Sequence, residues 1–179
     1  MIARRDAIPP EHAAVAADIA AAHAVAAISP APGQTIGLYA AFRSELATAP
    51  LAGALADAGA TLAYPRVDRA ARRLVFHAVA DPRDLRPGVL GIPEPPPDAP
   101  AVDLTAVAAF VVPGLAFDRS GGRLGWGRGY YDATLAAAPR ARRIGYAFEL
   151  QLVEIVPVDD HDAPMDCVIT EAGIRTVGE

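Results

Sequence analysis

Five glycines and two arginines alternate within one short segment of this sequence, which reads GGRLGWGRG from Gly121 to Gly129. Glycines let backbone N–H groups approach a bound anion closely, and arginine side chains add positive charge. The apolar run from Val107 to Val112 precedes the segment and predicts a strand buried on both faces. A helix is predicted from Tyr130 to Ala138, and its N-terminus would add partial positive charge. This order predicts a phosphate site, with a glycine-rich surface turn as the alternative.

The segment matches neither of the two common phosphate-binding motifs. The P-loop needs Gly-Lys-Ser/Thr, and this sequence contains no lysine. The dinucleotide fingerprint G-x-G-x-x-G fails because Tyr130 stands where the last glycine belongs. A Rossmann-type oxidoreductase is therefore disfavoured. A plain turn is also disfavoured, because it would more often carry Asn, Asp or Ser between its glycines than arginine and tryptophan.

One carboxylate lies close to the predicted phosphate site. Asp132 falls in the first turn of the helix, where a lone negative charge would repel a bound phosphate. A divalent cation between the carboxylate and the phosphate oxygens removes that repulsion. The sequence therefore predicts Mg²⁺ beside Asp132.

Composition narrows the class of protein. At 179 residues, with no internal repeat, the sequence predicts one domain spanning residues 1–179. Its 16 basic residues, all arginine, face 21 acidic ones, and the net charge of −5 argues against nucleic-acid binding. A single cysteine, no apolar signal region and no apolar run near the ~20 residues of a membrane span predict a cytoplasmic protein without a membrane partner. We also expect a monomer.

The alternation of apolar runs and turn residues predicts an α/β fold. Helices are expected from a start at Pro9-Pro10-Glu11 to about Ile28 and over residues 49–58, and residues 1–8 are expected to be loosely held. The apolar face of the first helix is expected to consist of Val15, Ile19, Ala22 and Ala26. Strands are expected at residues 35–40, 61–64 (stopped by Pro65), 74–79, 107–112, 143–148, 167–170 and 174–177. A strand–helix–strand unit implies parallel pairing, so we predict a three-layer α/β/α fold with a mostly parallel, Rossmann-like sheet.

Several other residues carry weaker signals. Glu45 follows a strand end in a parallel sheet, where ligands tend to bind. Glu94 lies between prolines in the segment 81–100, for which a rigid pocket wall and a plain linker fit equally well. The acidic run 159–162 favours a solvated turn over a metal cluster. Cys167 favours a core thiol over a nucleophile paired with His161.

Taken together, these segments resemble the 5-formyltetrahydrofolate cyclo-ligase family. The specific part is R-L-G-x-G-x-G-Y-Y-D from Arg123 to Asp132, preceded by PGLAFD from Pro113 to Asp118. Weaker support comes from Tyr39 to Glu45, Gly91 to Pro95, and His161-Asp162 with Asp166. These blocks follow the family's order over most of the chain from Thr35 to Thr170.

The resemblance implies an ATP- and Mg²⁺-dependent cyclisation of the reduced folate 5-formyltetrahydrofolate to 5,10-methenyltetrahydrofolate, with release of ADP and phosphate. In that scheme the formyl oxygen is phosphorylated, N10 attacks the activated carbon and phosphate leaves. The resemblance further implies that the phosphates of ATP are bound by Gly125, Trp126, Gly127, Arg128, Gly129 and Tyr130.

The same resemblance distributes the remaining roles. It makes Arg123, Arg128 and Tyr131 the candidates for catalysis. It makes Phe42, Glu45, Glu94 and Tyr131 the candidates for binding the folate. It makes Asp132, with Asp166, the candidate ligands of Mg²⁺.

The N-terminus departs from the family pattern, in which a lysine and an arginine on the first helix reach the ATP phosphates. Here only Arg4 or Arg5 could take that place, and arginine does not replace lysine one for one. A non-catalytic folate- or nucleotide-binding relative is therefore the alternative function.

Overall fold

A central sheet of seven strands organises the computed structural model, which describes residues 1–88, 91–159 and 161–178. All strands in these ranges, numbered in chain order, are β1 (Thr35–Gly37), β2 (Thr61–Asp68), β3 (Arg73–Ala78), β4 (Arg86–Pro87), β5 (Pro93–Glu94), β6 (Val107–Val112), β7 (Ala116–Phe117), β8 (Arg123–Leu124), β9 (Arg142–Tyr146), β10 (Cys167–Thr170) and β11 (Gly173–Thr176). The main sheet has the order β11-β10-β9-β6-β1-β2-β3. The five central strands, β10, β9, β6, β1 and β2, run parallel to one another. The edge strands β11 and β3 run antiparallel to their neighbours β10 and β2. The predicted mostly parallel α/β sheet is confirmed.

Helices cover both faces of this sheet. Those in the described chain are α1 (Ile2–Asp6), α2 (Pro10–Ile28), α3 (Ala49–Asp57) and α4 (Tyr130–Ala136). Helices α2 and α3 pack on one face, around residues such as Ile36 and Val111. Helix α4 and the β7–β8 ribbon pack on the other face, around Phe110 and Phe117. The unit β1–α3–β2 forms the predicted parallel crossover.

Helix α2 has the predicted bounds, but the apolar face predicted for it is wrong. Val15 and Ile19 are 58% and 43% exposed, and the buried residues are alanines. Nearly every position of this helix is apolar, so the spacing of its larger residues does not identify the face that packs. The small alanine side chains allow close approach of the helix to its neighbours. The buried positions are Ala16, Ala17, Ala20, Ala21 and Ala24.

Among the described residues, α2 is also the segment whose length and mean hydropathy would suffice to cross a membrane. Asp18 and His23 interrupt its apolar sequence. The alanine face belongs to the core that α2 shares with α3 and the sheet.

Two further expectations about the first half of the chain are wrong. Residues 1–8 are not loosely held, because α1 forms there and Arg5 is buried. Strand β2 does not stop at Pro65 but continues to Asp68. Beyond Ala63 its pairing within the described sheet is with β3 alone, and a proline without an N–H group is tolerated in such an edge position.

Candidate active site

The turn that follows the central strand β1 carries the first group of predicted site residues. The buried Tyr39 fixes this turn, because its hydroxyl donates to the Leu46 carbonyl oxygen at 2.7 Å. The Thr48 hydroxyl donates to the Tyr39 carbonyl oxygen at 2.8 Å. Within the turn, the Phe42 N–H donates to Glu45 Oε2 at 3.0 Å. These bonds hold Glu45 beyond the carboxyl end of a parallel strand, the position predicted for a ligand-binding residue.

Glu45 is held in a poorly hydrated position. Burial raises the pKa of its carboxyl group above the ordinary value, because the charged form loses hydration. The hydrogen bond from Phe42 and the positive charge of Arg5 oppose this shift. A carboxyl group in this setting can hold or release a proton nearer to neutral pH than an exposed one.

The two N-terminal arginines occupy different environments. Arg4 is exposed, whereas only 4% of Arg5 is accessible to solvent. The charge of Arg5 acts on both Glu45 and Tyr39, so this guanidinium belongs to the same cluster. Its Nε is buried without a hydrogen-bond partner among the residues that the structure describes. An unpaired buried guanidinium nitrogen is costly, and a bound anion would satisfy it.

Arg123, from strand β8, joins this cluster to helix α4. Its side chain is 7% exposed, and its Nη2 donates to Asp132 Oδ1 at 2.8 Å. Its Cζ lies 5.6 Å from the centroid of the Tyr131 ring, within cation–π distance. Its Nε is also buried without a partner in the described chain. Arg123 therefore orients Tyr131 and Asp132 and still has a donor for a ligand.

The glycines between Arg123 and α4 have two structural functions. Gly127 and Gly129 have φ angles of +71° and +66°, which side-chain-bearing residues rarely adopt. A Cβ on Gly125 would lie 2.8 Å from Arg123 Nη1, so glycine there leaves room for the guanidinium. Helix α4 has only seven residues, so the backbone N–H groups and the arginines contribute more to anion binding here than its dipole does.

Tyr131 connects the glycine segment with the turn after β1. Burial raises the pKa of its hydroxyl well above the ordinary value, and the charges of Glu45 and Arg123 act on it in opposite directions. The described structure thus assembles one cluster from three distant parts of the chain. Its members are Arg5, Tyr39, Glu45, Arg123, Tyr131 and Asp132.

Phe42 and Glu94 are placed differently. Phe42 is half-buried, with the Arg43 guanidinium carbon 5.0 Å from its ring centroid. Glu94 is buried in the β4–β5 ribbon, where its Oε1 lies 3.4 Å from the Val67 N–H nitrogen and its Oε2 lies 3.8 Å from Arg66 Nη2. These contacts attach the ribbon to strand β2. The role of Glu94 in folate binding stays a prediction.

The two predicted metal ligands have separate partners. Asp132 is paired with Arg123, whereas Asp166 Oδ2 accepts a hydrogen bond from the Arg143 N–H at 2.7 Å. Within residues 1–88, 91–159 and 161–178, no group of three or more His, Cys, Asp or Glu residues could hold a metal ion. Of the acidic run, Asp160 lies outside the described residues. The assignment of Mg²⁺ to Asp132 and Asp166 stays a prediction.

The Cys167 thiol is buried in the core, and burial raises the pKa of this thiol. A raised pKa lowers the thiolate fraction at neutral pH. This environment agrees with a core thiol rather than a nucleophile.

A cleft of about 560 Å³ lies beside the glycine segment and contains residues that sequence reasoning missed. One side is formed by Trp126, Gly127, Arg128 and Tyr130. Arg69 and Arg72, from the turn between β2 and β3, complete the lining. The sequence does carry a signal here, because three arginines lie within the five residues RAARR from Arg69 to Arg73. The sequence alone identifies no partner for these arginines.

Comparison with known proteins decides the family. The model of the family described as "5-formyltetrahydrofolate cyclo-ligase family" matches residues 1–171. The chain belongs to this family. The 5-formyltetrahydrofolate cyclo-ligase of Escherichia coli K12 is 34% identical over 144 residues, which are 78% of this chain and 79% of that protein. The cyclo-ligase of Mycolicibacterium smegmatis is 36% identical over 147 residues, which are 77% and 74% of the two chains.

Solved structures agree with this family assignment. The 5,10-methenyltetrahydrofolate synthetase of Aquifex aeolicus superposes with a TM-score of 0.78 and 27% identity, covering 99% of this chain and 89% of that one. The synthetase of Mycoplasma pneumoniae has a TM-score of 0.76 at 21% identity, covering 95% and 93%, and supports the fold alone. The predicted family, its ligase activity on a reduced folate with ATP and its place in one-carbon metabolism are therefore confirmed.

Removing the ionisable group of Glu45 is expected to change how stability depends on pH. The folded-state pKa is raised from 4.5, so the stability of the wild type should fall as pH rises from 4.5 through the folded-state pKa. The variant Glu45→Gln lacks this titration and keeps an acceptor for the Phe42 N–H. Thermal unfolding at pH 4 to 8 should therefore show the Tm of Glu45→Gln, relative to wild type, increasing with pH. The exposed Glu154→Gln is the control, and the same slope in both variants would refute the burial argument.

Proposed function

We propose that the cluster of Arg5, Glu45, Arg123, Tyr131 and Asp132 is the centre at which 5-formyltetrahydrofolate is cyclised to 5,10-methenyltetrahydrofolate. The observation that carries this proposal is the convergence of two buried guanidinium groups on a poorly hydrated carboxyl group and the half-buried Tyr131. Phosphoryl transfer depends mainly on positioning and charge neutralisation, which such a centre provides.

The proposed reaction has two bond-forming steps. The formyl oxygen attacks the γ-phosphorus of ATP, the bond from that phosphorus to the β,γ-bridging oxygen breaks, and ADP leaves. N10 then attacks the formyl carbon and loses its proton, and the carbon–oxygen bond breaks as phosphate leaves. The N10 proton ends on the departing phosphate, so the products are 5,10-methenyltetrahydrofolate, ADP and hydrogen phosphate.

The cluster and the residues around it have different roles in this reaction. The backbone N–H groups from Gly125 to Gly129 and the Arg128 side chain hold the phosphates of ATP. The unpaired Nε atoms of Arg5 and Arg123 stabilise negative charge near the transferred group. Glu45 accepts the N10 proton, since its raised pKa makes the carboxylate a stronger base. Phe42, Tyr131 and Glu94 line the folate site.

The site offers Mg²⁺ one carboxylate, that of Asp132, close to the proposed phosphate position. Mg²⁺ is commonly held by one or two carboxylates together with substrate phosphates and water, so Asp132 is a sufficient anchor on the protein side. Asp166 is the proposed second ligand. The ion would supply positive charge at the phosphate oxygens.

Incubation with ATP, Mg²⁺ and 5-formyltetrahydrofolate tests the proposal through the absorbance of the methenyl product. One ADP is expected per methenyl group formed. Folate or nucleotide binding without product would instead identify a non-catalytic relative.

Replacing Arg128 by alanine is expected to raise the KM for ATP about tenfold, or ~1.4 kcal/mol, and the KM for the folate much less. Arg128 is exposed beside the cleft, so its loss removes a phosphate contact without disturbing the core. Steady-state kinetics with each substrate varied in turn measure the difference. Equal increases in both KM values would contradict the assignment.

We further propose that residues 1–179 form a single domain that acts as a cytoplasmic monomer. One sheet runs from Thr35 to Thr176, and α1 contributes its buried arginine to the site, which supports one folding unit.

A further inference from the structure

The β2–β3 turn is held against the glycine segment by a contact with helix α4. The Leu74 N–H, at the start of β3, donates to Thr134 Oγ1 at 3.2 Å. The same hydroxyl donates to the Tyr130 carbonyl oxygen at 2.8 Å, at the first residue of α4. Asp68 shapes the turn itself, because its Oδ1 accepts from the Ala71 N–H at 3.0 Å. The position of the turn beside the cleft is therefore built into the fold.

Three guanidinium groups line the resulting cleft. Arg69 and Arg72 approach from the turn and Arg128 from the glycine segment, and all three are exposed. None of the three takes part in an ion pair within the described parts of the chain. The residues lining the cleft include no acid, and the carboxylate of the neighbouring Asp68 is engaged with the backbone of its own turn. In a chain of net charge −5, this is a local concentration of positive charge.

The cleft also offers aromatic surface. Trp126 is 58% exposed, and Tyr130 lies on the same side. An indole face beside guanidinium groups suits a ligand that combines a planar base with several negative charges. A nucleoside triphosphate has this combination. The γ-linked glutamate tail of a folate offers negative charge but no base next to it.

We propose that Arg69 and Arg72 bind the phosphate groups of the nucleotide from the side opposite Arg128. This inference rests on the proposed function and extends it, because it adds a second wall to the phosphate site. The two arginines touch the part of the nucleotide that the glycine segment does not reach from its own side. Their positive charge favours the approach of ATP to the cleft.

The test measures nucleotide binding directly through tryptophan fluorescence. Trp126 is the single tryptophan of the chain, so its emission reports on this cleft. Wild type and the double variant Arg69→Gln/Arg72→Gln are titrated with ATP, inorganic tripolyphosphate and adenosine. The control Arg119→Gln/Arg140→Gln removes two exposed charges that do not line the cleft.

The double variant is expected to raise the Kd for ATP and tripolyphosphate at least tenfold, with adenosine binding unchanged and the control within twofold of wild type. Equal Kd values in the double variant and the control, in an enzyme that still forms product, would overturn this inference and leave the proposed function intact. Calorimetry with mono- and triglutamated folate supplies the second arm. If the double variant loses affinity for the triglutamated folate alone, this result would also overturn the inference and would assign the two arginines to the glutamate tail. Absence of ATP binding and of product in the wild type would overturn the proposed function itself.

Discussion

The variant Arg123→Gln is expected to lower kcat by roughly 10²- to 10³-fold, the effect of removing one preorganised charge-stabilising donor from an active site. Arg123 pairs with Asp132 at 2.8 Å, stacks over the Tyr131 ring and keeps a buried Nε free for a ligand. Glutamine removes the charge that neutralises the transferred phosphate and releases both neighbours. Steady-state kinetics with saturating ATP and folate measure the loss.

Two controls separate catalysis from folding in this experiment. Arg123→Lys keeps the charge but loses the planar fork, so it should fall between wild type and glutamine. Arg140→Gln removes an exposed arginine and should retain full activity. Wild-type kcat in Arg123→Gln would contradict the assignment. A collapse of Tm in both Arg123 variants together would assign the residue to stability instead.

The variant Asp132→Asn is expected to lower kcat by a similar roughly 10²- to 10³-fold and to raise the Mg²⁺ concentration needed for half-maximal activity. Asparagine keeps an oxygen that accepts from Arg123, so the local structure should persist and Tm should change little. What it loses is the negative charge that binds the cation. Calorimetry of Mg·ATP binding gives a readout independent of turnover.

The matched variant Asp166→Asn tests the second proposed ligand. If Asp166 binds the metal, its Mg²⁺ dependence should shift in the same direction as that of Asp132→Asn. If it only accepts the Arg143 N–H, the Mg²⁺ dependence should stay at the wild-type value. An unchanged Mg²⁺ dependence in Asp132→Asn would show that the metal assignment is wrong.

The elements of the fold that could be predicted are those whose sequence pattern lies within the element itself and its flanking residues. Strand β6 was predicted at its observed bounds because a continuous apolar run between turn residues has few other readings. The hairpin β10–β11 and the start of α4 after Gly129 were predictable for similar reasons. The packed face of α2 was not, because an alanine-rich helix offers no contrast between its faces. Helix α1 is five residues long and depends on tertiary contacts, which a local reading does not reveal.

The same distinction applies to the site. The glycine segment and Asp132 form one local motif, so their proximity follows from the sequence. The approach of Arg5 to Glu45, and of Glu45 to Tyr131, depends on how α1 and the turn after β1 meet α4, and only the assembled sheet brings them together. Arg69 and Arg72 face the glycine segment because β3 packs beside α4. The arginines of the β2–β3 turn did not indicate, from the sequence alone, that the glycine segment would be their neighbour.

The most direct measurement is a crystal structure with Mg²⁺ and a non-hydrolysable ATP analogue. We expect triphosphate density along the Gly125–Gly129 backbone, between Arg123 and Arg128, with the cation at Asp132. Density for the triphosphate elsewhere on the molecule, with this segment closed by its own side chains, would contradict it.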